Sequence, residues 1–99
     1  MLKIKKTITN KTAVFALGGR LDTVTAPELE KEFKESLGDI TDLTLDFADL
    51  EYISSAGLRV LLAANKTMNK QGSMKLIDVN EIVQEVFEVT GFSDILTIE

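Results

Sequence analysis

The chain has 99 residues, 44% hydrophobic and 27% charged, with one proline, six glycines and neither cysteine nor histidine. Those shares are globular rather than disordered, and the missing side chains exclude disulfides, iron–sulfur clusters, imidazole metal ligands and any Ser-His-Asp arrangement. Eleven basic against sixteen acidic residues leave a net charge of -5, which disfavours a nucleic-acid partner. No apolar run approaches a membrane span, and Met1-Leu2-Lys3-Ile4-Lys5-Lys6 lacks the apolar middle of a signal peptide. The expectation is a single domain over residues 1–99, a cytoplasmic binding or regulatory module with no cofactor, no metal and no membrane contact.

Leu2 to Thr9 alternates, with Leu2, Ile4 and Ile8 opposed by Lys3, Lys5 and Thr7, and reads as a half-buried strand. Asn10-Lys11 supplies turn chemistry, and Thr12 to Leu17 makes the second arm of a hairpin that Gly18-Gly19 ends. Thr25-Ala26-Pro27-Glu28 is a helix start, with threonine and glutamate at capping-box spacing and proline in the first turn. Ala26, Leu29, Phe33 and Leu37 form one stripe on that helix, and Gly38 stops it.

Asp42 to Phe47 alternates again and predicts a central strand of about six residues. After a loop over Ala48 to Ile53, a second helix starts near Ser54-Ser55 and buries Gly57, Leu61, Ala64 and Met68. Lys75 to Val79 is a fourth strand. Asp78 or Asn80 caps a third helix carrying Ile82, Val83, Val86 and Phe87, Gly91 ends it, and Ile95 to Ile98 would be a short fifth strand. Strands alternating with helices imply crossovers and a mostly parallel sheet. The predicted class is α/β, with about five strands in the order ββαβαβαβ.

The chemically informative stretch is Tyr52-Ile53-Ser54-Ser55-Ala56-Gly57-Leu58-Arg59, where a loop delivers two serines to a helix start. Unpaired N–H groups and the positive end of the macrodipole favour an anion there, so a phosphorylated serine is tolerated. The plainer reading is that Ser54 or Ser55 caps the helix and Gly57 lets it pack closely. Both readings hold at once, because a cap can be modified.

At these residues, and over nearly the whole chain including Gly19-Arg20-Leu21-Asp22-Thr23-Val24-Thr25-Ala26, the sequence resembles the anti-sigma-factor antagonists of the STAS-domain family. The family's loop commonly reads Asp-Ser, then Ser or Thr, then Gly-Leu, and its serine is phosphorylated by a kinase that is itself the anti-sigma factor. Anchored on Gly57-Leu58, the resemblance puts Ser55 at the phosphoacceptor, Ser54 where the aspartate usually stands and Ala56 where the second hydroxyl does. It implies an anti-sigma factor serine kinase and a serine phosphatase as partners. The implied partner surface comprises Ser54, Ser55, Ala56, Gly57, Leu58 and Arg59, together with Asp22 and Thr25. Phosphorylation would add roughly -1.5 to -2 charge at that surface. The two departures at Ser54 and Ala56 keep a second implication open, an unphosphorylated STAS scaffold or accessory module.

Other chemistry fits less well. Ser55-Ala56-Gly57 matches half of a nucleophile elbow, but Ile53 stands where the motif needs glycine, so no catalytic residue is assigned. Asp46 near the end of the third strand resembles a receiver phosphoacceptor, yet no acid follows the first strand to complete such a site. Arg59, Lys66 and Lys70 read as a solvated basic face of the second helix.

Overall fold

The computed structural model describes all 99 residues. Leu2–Thr9 (β1) and Thr12–Leu21 (β2) form the expected antiparallel hairpin. Its two-residue turn holds Asn10 at φ 56°, a left-handed conformation that asparagine tolerates. Ala26–Ser36 (α1) leads to Asp42–Ile53 (β3), and Ser55–Gln71 (α2) leads to Ser73–Ile77 (β4). Glu81–Thr90 (α3) and a 3-10 turn over Phe92–Asp94 complete the chain. The sheet order is β1-β2-β3-β4, with β2, β3 and β4 parallel. Both crossovers step the same way across the sheet, so right-handed connections lay α1 and α2 on one face.

That face is the core. Ala13, Phe15 and Leu17 of β2, Leu43, Leu45 and Phe47 of β3, and Met74 and Leu76 of β4 are all buried. They meet the expected stripes, Leu29 and Phe33 of α1 and Leu61, Ala64 and Met68 of α2, in one cluster of 25 residues. Phe15 packs its ring 5.1 Å from Phe33, and Phe47 lies 6.2 Å from Phe87 of α3. Intervening strand positions, among them Lys5, Val14 and Lys75, are exposed on the other face.

Several expectations need correction, among them the fourth strand, which runs Ser73–Ile77 rather than Lys75 to Val79. β2 runs through Gly18-Gly19 to Leu21, and β3 is 12 residues long, taking in the segment expected to be a loop. The two extensions pair with each other, Gly18 with Asp49 and Leu21 with Ile53, across register shifts on either side of the glycines. Gly19 sits at φ +86°, and a side chain there would run into the Met1 carbonyl, so this pair forms a bulge rather than an exit. The fifth strand reduces to a single bridge between Ile98 and Leu76, because the 3-10 turn and the buried Leu96 use up the chain before a ladder can form. The sheet therefore has four strands. On α3, Ile82 is 64% exposed while Val83 and Phe87 are buried. Asn80 rather than Asp78 caps that helix: its Oδ1 accepts from the Val83 N–H at 2.8 Å. Its Nδ2 donates to the Leu50 carbonyl at 2.8 Å, pinning α3 to β3.

Candidate functional site

Because β2 and β3 are parallel and in register at Leu21 and Ile53, both strands leave the sheet at the same end. The Ser54 N–H donates to the Leu21 carbonyl at 2.9 Å, extending the pairing by one residue. The starts of α1 and α2 therefore stand side by side, each behind a short loop.

The loop before α1 is tied by its own side chains. Asp22 Oδ1 accepts from the Val24 N–H at 3.0 Å and the Thr25 N–H at 3.1 Å. Thr25 Oγ1 accepts from the Asp22 N–H at 2.8 Å and lies 2.8 Å from the Arg20 carbonyl, to which it donates. The expected capping box is thus absent: Thr25 is right-handed at the N-cap, makes no side-chain cap bond, and turns its hydroxyl back into the loop. The Thr25 N–H holds the Asp22 carboxyl below the ordinary aspartate range. Partial desolvation opposes this, and the Val24 N–H and Thr25 hydroxyl reinforce it.

The loop before α2 is simpler. Ser54 is extended, at φ -100° and ψ 175°, and its Oγ accepts weakly from the Gly57 N–H at 3.5 Å. Gly57 is buried, and a β-carbon there would lie 2.7 Å from Leu21 Cγ and 2.9 Å from Ile53 Cγ1. Only glycine lets α2 begin directly on the ends of the two strands. Ser55 is the first residue of α2, exposed, with a hydroxyl that bonds to no other protein group. The first turn of α2 holds no acid, whereas that of α1 holds Glu28. The positive end of the α2 dipole is therefore not offset by a carboxylate of its own first turn.

The residues expected at the partner surface separate into two layers. Ser55 and Arg59 are exposed, and Asp22, Ser54 and Ala56 are partly so. Thr25, Gly57 and Leu58 are buried beneath them and position the rim rather than presenting side chains to a partner. Three further rim residues lie outside the expected partner surface. The Arg20 guanidinium lies 4.3 Å from the Tyr52 ring centroid and 3.8 Å from Asp22 Oδ2, and Val24 is 81% exposed. Val24 was discoverable as an apolar residue outside any stripe. Arg20 and Tyr52 are neighbours only through the strand register.

The STAS domain profile matches residues 3–99, and the chain belongs to that family. BtrV of Bordetella bronchiseptica is 36% identical over 88 residues, covering 86% of this chain and 75% of BtrV. The anti-sigma-B factor antagonist of Bacillus subtilis is 32% identical over 83 residues, 83% of this chain and 76% of the relative. The fold matches the crystal structure of an anti-sigma factor antagonist from Mycobacterium paratuberculosis. The TM-score is 0.89 at 21% identity, over 99% of this chain and 85% of that one. No helix is long and apolar enough to cross a membrane.

Proposed function

We propose that the chain, as one STAS unit over residues 1–99, is an anti-sigma factor antagonist switched by phosphorylation of Ser55. Its partner on this reading is an anti-sigma factor with serine-kinase activity, and a serine phosphatase resets it. The observation that carries the reading is the division of labour between adjacent serines. Ser54 takes the cap, and Ser55 keeps a free, exposed hydroxyl at the start of α2.

The physical consequence is a charge switch without refolding. Unmodified Ser55 belongs to a rim that a partner covers together with Asp22, Ser54 and Arg59. A phosphate adds about -1.5 to -2 charge, which the α2 N-terminus tolerates within the free protein. Under a bound partner the same charge must be desolvated beside the Asp22 carboxylate, and binding weakens. The resulting association is reversible, and the fold is the same in both states.

The test is co-purification from the native cell, followed by peptide mass spectrometry of the chain and identification of its partner. A phosphate on Ser55 and a kinase-type partner are expected. Ser55→Asp weakens the recovered complex by about tenfold or more, about 1.4 kcal/mol per decade, and Ser55→Ala preserves it. Phosphate confined to other residues, or equal binding by both variants, rejects the switch. An unphosphorylated chain held in a larger assembly would favour the scaffold role that Ser54 and Ala56 leave open.

A further inference from the structure

We propose that the uncovered face of the sheet is a self-complementary docking surface for a second copy of this chain. The face holds a shallow depression of about 550 Å³ whose lining includes Lys3 and Lys5 on β1, Ala16 and Gly18 on β2, and Asp46 and Asp49 on β3. The register sorts these residues into two rows across the sheet: Lys5, Ala16 and Asp46 in one, and Lys3, Gly18 and Asp49 in the next. A β-carbon built on Gly18 would lie 3.3 Å from Asp49 Cβ and 3.8 Å from Lys3 Cβ, so the second row shares one face.

Each row thus carries a cation and an anion on opposite sides of a strand with almost no side chain. The charges do not meet within the chain. The four ion pairs of the fold are Lys6 with Glu32, Arg20 with Asp22, Lys34 with Glu30 and Lys75 with Glu99. Lys3, Lys5, Asp46 and Asp49 appear in none of them. The asymmetry begins in the sequence, where no acidic residue precedes Asp22.

Symmetry selects the occupant. A two-fold axis lying in the interface along β2 exchanges the β1 and β3 sides of the face while preserving each row. Lys5 of one copy then faces Asp46 of the other, and Lys3 faces Asp49, each pair formed twice. Ala16 and Gly18 fall on the axis, where small residues let the faces close, and Val14, 36% exposed, meets its counterpart one row further on. Stacked sheets lie about 10 Å apart, a gap that a lysine and an aspartate reaching toward each other can span. An axis across the strands would instead set lysine against lysine. The contact is led by partly solvated ion pairs, so it is weak and salt-sensitive.

Sedimentation velocity on the full chain tests this. The wild type is expected to dimerise at high protein concentration in about 0.01 M salt and to dissociate in about 1 M salt, where the screening length falls to roughly 3 Å. Lys3→Glu and Asp49→Lys each replace exposed residues, and circular dichroism should show both folded. Each alone is expected to weaken the dimer by about tenfold, because both symmetric pairs become repulsive. Mixing the two variants restores association, since every facing pair in the mixed dimer is again opposite in charge. Carrying both reversals on one chain restores it too, and Lys5→Glu alone weakens it. A wild type that stays monomeric at low salt overturns the proposal, as does a dimer indifferent to the single reversals or variants that fail to recover on mixing.

Discussion

Of the two loops that leave the sheet side by side, the one after β2 turns its polar groups inward. Asp22 and Thr25 bond the loop's own N–H and carbonyl groups, and Thr25 is only 4% exposed. The loop after β3 is barely a loop at all: Ile53 ends the strand, Ser54 caps, and Ser55 is already helical. One segment holds its shape by side-chain bonds, the other by having no slack and by the close seat of Gly57 on Leu21 and Ile53. Both segments keep an exposed hydroxyl with no protein partner, Thr23 on the first and Ser55 on the second, but only Ser55 stands in the first turn of a helix. A modifiable group sits where removing it disturbs nothing structural.

The comparison can be broken most severely at Gly57. Gly57→Leu must push α2 off the strand ends, with an expected cost of about 3 kcal/mol, read as a lower midpoint in urea. Thr25→Val keeps the shape but leaves the Asp22 N–H and the Arg20 carbonyl without their Thr25 partner in a partly buried loop. A loss of about 2 kcal/mol is expected by the same measurement.

Acid acts more gently on the first loop. The folded Asp22 carboxyl titrates below its unfolded value, so its contribution is complete above the ordinary aspartate range and is lost as pH falls through the depressed one. Stability curves of the wild type and Asp22→Asn should converge at low pH and separate as pH rises. Equal separation at every pH would mean that the carboxylate charge plays no part.

The smallest effects belong to the second loop. Ser54→Ala loses a cap bond that is long at 3.5 Å, so about 0.5 kcal/mol is expected. Ser55→Ala should fall within about 0.5 kcal/mol of the wild type, measured by thermal unfolding. A larger loss at Ser55 than at Ser54 would reverse the assignment of cap and free hydroxyl.

Much of this architecture was legible along the chain. The hairpin turn at Asn10-Lys11, the stripe Ala26, Leu29, Phe33 and Leu37, and the stripe Gly57, Leu61, Ala64 and Met68 each depend on residues within a few positions of one another. The strand ends were not legible, because the backbone of Gly18 to Leu21 stays extended only by pairing with Asp49 to Ile53, some thirty residues away. Thr25 misled for a related reason. Its spacing to Glu28 fits a capping box, but its hydroxyl has better partners in the Asp22 N–H and Arg20 carbonyl once β2 extends that far.

The sequence by itself determined which segments are helices, that a mostly parallel sheet joins them, and that two serines stand at the start of α2. Local propensity and apolar periodicity suffice for that. Which serine caps and which is free, how Arg20 comes to lie against Tyr52, and which lysine shares a row with which aspartate were decided only in the assembled structure. Those relations are set by strand register and by the seat of a helix on its sheet, and both depend on contacts between residues far apart in the chain.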